Sequence, residues 1–249
     1  DFSNPNTYTG KLIPGGISHP NYNVIPVPGD FTVLPAQKLL LKVTNITSVY
    51  GTTPTFTIES ASYKYDDLVN PVRTIPLTVE SLGNNSFKVL EDATHYATFS
   101  LAPVIGLGMM LTSVNPKVGA YNFSTSNLSK NGARFTDIGN VSGTETVIPK
   151  ALNVSIATNP GAPDVTKMYD GNTSATVNLT IASDKVSGDV VTTSYTAANF
   201  DDKNVGVNKN INVSGISIAG LDAGNYRLVN ATTSTSNASI TAKPLTISG

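Results

Sequence analysis

Between Ser174 and Ile181 the chain reads Ser-Ala-Thr-Val-Asn-Leu-Thr-Ile, so that Ala175, Val177, Leu179 and Ile181 alternate with Thr176, Asn178 and Thr180. A period of two sends successive side chains to opposite faces of an extended strand, one face toward a core and the other toward water. A helix would scatter the same apolar residues around its circumference. Immediately upstream, Lys167-Met-Tyr-Asp-Gly-Asn-Thr173 supplies a tight polar turn. Gly171 tolerates a positive φ there, and Asp170 and Asn172 are residue types that bond backbone two residues further on. A turn feeding a half-buried strand is the unit from which the fold must be built.

The same signal recurs. Leu152-Asn-Val-Ser-Ile156 alternates, and Tyr96-Ala-Thr-Phe-Ser-Leu101 places Ala97, Phe99 and Leu101 on one side. Ile211-Asn-Val-Ser-Gly-Ile-Ser-Ile218 alternates around Gly215, which marks a bulge or a close backbone approach. No window sustains an apolar period of 3.6, so helix is expected to be scarce. Charged residues make up 13% of the chain, against roughly one quarter in ordinary soluble domains. Thr, Ser and Asn must therefore solvate the outward strand faces.

Composition also removes whole classes of function. The formal net charge is -1, which gives no field to attract nucleic acid or anionic lipid. Cys is absent, excluding disulfides, thiolate zinc sites and thiol catalysis, but not secretion. The longest apolar run, Leu101 to Leu111, contains Pro103, Gly106 and Gly108. It falls short of the about 20 residues a membrane helix needs and reads as a bent, buried strand pair, so no membrane insertion of this segment is expected. The sequence begins at Asp1 with neither Met nor a leader and reads as part of a longer polypeptide.

Internal repetition sets the domain organisation. Thr146-Val-Ile-Pro-Lys-Ala-Leu-Asn-Val-Ser155 parallels Ile240-Thr-Ala-Lys-Pro-Leu-Thr-Ile-Ser248, and Thr32-Val-Leu-Pro-Ala-Gln-Lys-Leu-Leu-Leu41 is a looser third copy. Each is a strand, a short join containing Pro or Ala, and a fresh strand. Upstream of each lies a Tyr beside an Asn: Asn21-Tyr22-Asn23, Tyr121-Asn122 and Asn225-Tyr226. The expected divisions are 1–36, the tail of a preceding module or an extension packed on the next; 37–149, a first sandwich; 150–242, a second; and 243–249, the first strand of a following module. The expected fold class is all-β, with tandem Ig-like β-sandwich modules arranged end to end, the inner faces of each about 10 Å apart. Joins without a Gly/Ser linker make such a chain a semi-rigid rod.

Few residues offer chemistry. His19 and His95 stand apart from any metal-ligand pattern. Glu59, Glu80, Glu91 and Glu145 are scattered singly, which argues against a glycosidase pair; a carboxylate-dependent glycoside hydrolase remains the remote alternative. Asp201, Asp202 and Asn204, and likewise Asp170 and Asn172, put oxygen ligands on turns as Ca²⁺ requires. Neither group has EF-hand spacing, and Asx turns explain both, so calcium is a candidate ligand and no metal is assigned. Tyr50, Tyr169 and Tyr226 each sit where a strand meets a turn. They are expected to bury their rings at the core edge while the hydroxyl reaches a polar partner or water; the alternative is a sugar-stacking platform. The stretch 60–75 reads as a hairpin with a polar tip.

Residues 150–242 resemble the YDG domain of bacterial adhesins. Lys167-Met-Tyr-Asp-Gly-Asn-Thr-Ser-Ala175, Ser187-Gly-Asp189, Asn199-Phe-Asp-Asp-Lys-Asn-Val-Gly206, Gly220-Leu-Asp-Ala-Gly-Asn-Tyr226 and Ala238-Ser-Ile-Thr-Ala-Lys-Pro-Leu245 follow that family's order. Residues 37–149 resemble the YGX type of MBG domain through Val49-Tyr-Gly-Thr52, Gly119-Ala-Tyr121 and Val147-Ile-Pro149, although the block is long for that family. The resemblance implies structural motif residues at Tyr50, Gly51, Tyr169, Asp170, Gly171, Gly224, Asn225 and Tyr226, no catalytic residue and no cofactor. It implies a stalk or spacer of a large secreted or bacterial cell-surface adhesin. The partners implied are neighbouring repeat modules of the same chain, then a host-surface glycan or protein. A module that itself binds glycan or host protein is the alternative.

Overall fold

Alternation in the sequence becomes alternation in burial. Ala97, Phe99 and Leu101 are buried, and so are Leu152, Val154 and Ile156, while Asn153 and Ser155 between them are exposed. The computed structural model describes residues 6–12, 15, 29–33, 38–65, 73–106, 115–133, 135, 137–181 and 184–248. His19, the Asn21-Tyr22-Asn23 motif, the hairpin tip at 66–72 and the run from Leu107 to Leu111 lie outside them. The chain is all-β and predominantly strand, with two curled, open half-barrel sheets. The helical geometry among the described residues is one short 3-10 turn, Ala223–Asn225.

The chain divides into two units, neither of them continuous. One comprises Asp1–Ile46, Pro54–Val104 and Ala120–Glu145; the other comprises Thr47–Thr53, Ile105–Gly119 and Thr146–Gly249. The first contains a hairpin of β1 (Asn6–Leu12) and β2 (Gly29–Val33), followed by β3 (Lys38–Val43). Then come β4 (Ile46–Val49), β5 (Ile58–Tyr65), β6 (Arg73–Gly83), β7 (Ser86–Leu90), β8 (Tyr96–Pro103), β9 (Gly119–Asn131), β10 (Asp137–Ser142) and β11 (Thr144–Ile148). The strands from β5 to β9 form an antiparallel meander, and β3 closes onto it between β5 and β10, pairing antiparallel with β5 and parallel with β10. β4 and β11 are neighbours and carry the chain from one unit into the other. The core gathers Leu39, Leu41 and Val43 of β3 with Tyr63, Phe87, Val89, Phe99 and Phe123.

The second unit uses shorter ladders. β12 (Lys150–Leu152) and β13 (Val154–Ile156) precede β14 (Val165–Met168), β15 (Leu179–Ile181), β16 (Thr192–Ser194) and β17 (Ala197–Phe200). The chain ends with β18 (Gly206–Ser214), β19 (Ser217–Ala219), β20 (Tyr226–Leu228) and β21 (Thr232–Thr241). The largest sheet has the order β14-β21-β18-β17; β12 pairs parallel with β20, β13 antiparallel with β15, and β16 antiparallel with β19. The core is Val154, Ile156, Val165, Val177, Phe200, Ile211, Val213, Ile216, Ala238 and Ile240, with smaller side chains between them.

Two expected long strands are divided, each for a visible reason. The alternating stretch from Ser174 to Ile181 keeps its in-and-out pattern but is ladder-paired only at Leu179–Ile181. Its first half bonds β17, through Ala175 N–H to the Ala198 carbonyl at 2.9 Å, and its second half pairs with β13. The segment thus changes partners midway. The strand expected at 211–218 stops at Ser214 and resumes at Ser217 because Gly215 turns left-handed at φ +66, where an added Cβ would collide with Thr196. That is the close approach the glycine signalled.

Burial separates two leucines that the repeat treats alike. Leu152 is 0% exposed and Leu245 is 87% exposed. Leu152→Ala is expected to destabilise the protein by about 2–5 kcal/mol, and Leu245→Ala by less than about 0.5 kcal/mol. Urea unfolding midpoints at unchanged slope measure both.

Candidate functional site

The polar motifs of the second unit converge on two buried carboxylates. Gly188, at φ +91, turns the chain so that the Asp189 side chain points inward, where the residue is only 3% exposed. Its Oδ2 accepts the hydroxyl of Tyr50 at 2.8 Å and that of Tyr226 at 2.5 Å. The two rings meet edge to face, with centroids 5.4 Å apart and planes at 78°. The Tyr226 oxygen also accepts the Val186 N–H at 2.9 Å, and Lys185 Nζ donates to the Asp189 carbonyl at 2.7 Å. Burial, then the Asp189 carboxylate, pushes the Tyr226 phenol well above its ordinary pKa, so it stays a neutral donor. Tyr50 is placed by its own N–H, which donates to the Ile148 carbonyl at 2.9 Å. Gly51 follows at φ +76, and a Cβ there would collide with Val186.

Asp222 is the second node and is fully buried. Its Oδ2 accepts the Val190 N–H at 2.6 Å, while its own N–H donates to the Val190 carbonyl at 3.2 Å. The Asp222 carbonyl receives the Asn225 backbone N–H at 3.0 Å and Nδ2 at 3.3 Å. Asn225 Oδ1 in turn accepts the Val118 N–H at 3.0 Å, tying in the segment Ile105–Gly119. The short 3-10 turn held this way delivers Tyr226 to Asp189. Gly224 within it has open space where a Cβ would stand, so no close packing demands a glycine there.

The turn from Lys167 to Ser174 is organised by a cation. Lys167 Nζ lies 2.8 Å from Asp170 Oδ1, 2.7 Å from Asn172 Oδ1 and 2.7 Å from the Ser174 carbonyl. Asp170 Oδ1 accepts the Asn172 N–H at 3.2 Å, and Asn172 Oδ1 accepts the Ser174 N–H at 3.0 Å and its hydroxyl at 2.6 Å. These are the Asx turns anticipated from the residue types. The Lys167 hydrogen bond holds the Asp170 carboxyl below its usual range. Gly171 supplies the left-handed step at φ +85. Tyr169 departs from the expectation of a buried ring. Its N–H is bonded to the Thr241 carbonyl at 2.8 Å, yet the residue is 37% exposed, and the preceding Met168 is 55% exposed.

The calcium candidates are held by a lysine. Lys209 Nζ sits 2.7 Å from Asp202 Oδ1 and 3.6 Å from Asp201 Oδ1, and Asn204 N–H donates to Asp202 Oδ1 at 2.7 Å. The ammonium holds Asp202 below the usual carboxylate range, and the pair raises the Lys209 pKa. A cation of the chain itself thus stands against the oxygens a metal would take. The four glutamates face separate partners: Glu59 meets Lys42 at 2.8 Å, Glu80 meets Lys88 at 3.8 Å and Glu91 accepts the Tyr63 hydroxyl at 2.9 Å. Glu145 is buried, and its charge, after burial itself, raises the Tyr121 phenol pKa. His95 Nδ1 lies 2.7 Å from Asp92 Oδ2; Asp92 also accepts the Thr94 N–H, and these bonds hold its carboxyl well below normal.

Asp189 and Asp222, the two carboxylates around which the motifs close, are not among the residues that sequence reasoning singled out. The signal available was their place inside Ser187-Gly-Asp189 and Gly220-Leu-Asp222, in a chain with little charge elsewhere. The fold and these inward ties define an all-β module whose motif residues bond one another. Residues 148–236 match the family model of the YDG domain, so a YDG domain is identified there. No curated protein and no solved structure matches the chain.

Two outcomes are expected. Tyr226→Phe removes a hydrogen bond to a buried charge and should cost about 1.5–3 kcal/mol, whereas Tyr169→Phe should change the unfolding free energy by less than about 0.5 kcal/mol. Stability should also form a plateau between about pH 4 and pH 10. The raised Tyr226 contributes stability that is complete below the ordinary phenol pKa and is lost as pH rises from there toward its folded value. The depressed Asp92, Asp164, Asp170 and Asp202 contribute stability that is complete above the ordinary Asp pKa and is lost as pH falls from there toward their folded values. Denaturant midpoints across pH measure this, and the alkaline decline should be shallower in Tyr226→Phe.

Proposed function

We propose that this chain is a structural, non-enzymatic stalk segment of a large secreted or bacterial-surface adhesin, in which tandem Ig-like sandwich modules project a binding region and support cell adhesion. On this reading residues 37–149 are an MBG-like module, residues 150–242 are the YDG module, and the partners are neighbouring modules of the same chain. The observation that carries the reading is the use made of the motif residues. Asp189, Asp222, Asn225 and Tyr226 of the YDG module, together with Tyr50 and Val118 from residues 37–149, spend their polar atoms on one another and on backbone. Residues arranged to fix a module's shape suit a spacer, where rigidity is the property required.

An exchange experiment in the parent bacterium tests this. Deleting the coding region for residues 150–242 in frame should reduce adhesion, and replacing it with an unrelated β-sandwich of similar length should restore it. The purified chain should not compete with the bacteria for host cells. Adhesion that the replacement fails to restore, together with competition by the purified chain, would show that this segment binds the host surface itself.

A further inference from the structure

The contact that Tyr50 makes with Asp189 and Tyr226 has a backbone counterpart at Tyr169. In the repeat register that aligns Val147–Ser155 with Ile240–Ser248, Ile148 corresponds to Thr241, Leu152 to Leu245 and Val154 to Ile247. The structure reproduces that register in its hydrogen bonds. Tyr50 N–H donates to Ile148 at 2.9 Å, and Tyr169 N–H donates to Thr241 at 2.8 Å. Both tyrosines directly follow a strand, β4 and β14, and each strand lies beside the one that ends the repeat, β11 and β21.

Equivalent backbone positions have opposite burial. Tyr50 is 0% exposed, its hydroxyl on Asp189 and its ring against Tyr226. Tyr169 is 37% exposed. Leu152 and Val154, which follow the first join, are buried in β12 and β13, whereas Leu245 and Ile247 after the second are 87% and 88% exposed. The contrast is one of partners, since the side chains are of the same kind. β12 lies parallel to β20 and β13 antiparallel to β15, just as β3 lies parallel to β10 and antiparallel to β5. The segment holding Leu245 and Ile247 has the same alternation in sequence but forms no strand.

We infer that Tyr169, Met168, Leu245 and Ile247 form a docking surface for a further module of this same kind. Its buried Gly-Asp carboxylate and Gly-Asn-Tyr ring accept Tyr169 as Asp189 and Tyr226 accept Tyr50. Leu245 and Ile247 become its leading strand and take the buried places of Leu152 and Val154. Tyr169 is already held at the backbone, so docking fixes only the ring. One difference between the joints is local: the left-handed residue is Gly51, directly after Tyr50, but Gly171, two places after Tyr169. Asp170 therefore takes the position of Gly51 without its positive φ. The inference rests on the repeated-module reading of the chain and names the surface by which modules join.

A tandem chain provides the test. Residues 152–248 are repeated directly after Pro244, so that the added Leu152 takes the position of Leu245, and the added copy's own Tyr169 is replaced by Phe. Nitration by tetranitromethane is followed by peptide mass spectrometry. In the 249-residue protein Tyr169 should be nitrated readily and Tyr226 should not. In the tandem chain Tyr169 should react at least tenfold more slowly, with Tyr226 protected in both copies. Tyr169→Phe in the original copy should then lower the unfolding midpoint of the tandem chain and leave that of the 249-residue protein unchanged. Unaltered nitration of Tyr169 beside a protected pair of Tyr226 rings would overturn the inference. So would half-reactive Tyr226, which reports an added copy that does not fold on this surface. Either result leaves the outcome of the adhesion exchange untouched, so the joint and the spacer role fail separately.

Discussion

A carboxylate taken out of water needs donors, and the second unit is arranged around meeting that need at Asp189. Two phenols supply it, one from Tyr226 in the same stretch of chain and one from Tyr50, far upstream. A buried acid left without such donors costs several kcal/mol, so the two hydroxyls and the acid are mutually dependent. Tyr226 can serve only if the 3-10 turn before it is fixed. That turn is fixed by Asp222, which clamps Val190 on one side and Asn225 on the other. Tyr50 can serve only if its strand lies beside β11, where the Ile148 carbonyl takes its N–H.

These ties have a mechanical consequence. The segment Thr47–Thr53 belongs to the unit formed by Thr146–Gly249, and so does Ile105–Gly119, whose Val118 bonds Asn225. Three stretches of chain are thereby joined by hydrogen bonds to buried side chains rather than by apolar contact alone. Apolar contact is tolerant of sliding, whereas a hydrogen bond to a buried acid has one geometry. The exposed turns use charge differently. Lys167 on Asp170 and Lys209 on Asp201 and Asp202 tie down loops at the surface, where ion pairs contribute little to global stability but restrict local conformations.

Much of this was legible beforehand. The period of two at Ala97, Phe99 and Leu101, or at Leu152, Val154 and Ile156, fixes which face is buried, because pleating leaves no other choice. Gly171 and Gly215 announced positions that other residues tolerate poorly, and both carry positive φ. The Asx turns at Asp170 and Asn172 followed from side chains short enough to reach their own backbone. In each of these cases the determining forces act within a few residues, so local sequence holds all the information they use.

Other outcomes concern residues whose neighbours come from far along the chain. Tyr50 and Tyr169 look equivalent in sequence, each at a strand end before a turn, and one ring is buried while the other is exposed. Asp189 and Asp201 are both aspartates in polar stretches, yet one is a buried acceptor of two phenols and the other a surface partner of Lys209. The pattern of the stretch from Ser174 to Ile181 determined its two faces, but not that its halves would pair with different strands. Alternation is written residue by residue, so an all-β chain and its inward faces follow from local pattern alone. Burial of a particular ring or carboxylate depends on what a distant segment brings to it, and that is set only when the chain closes on itself.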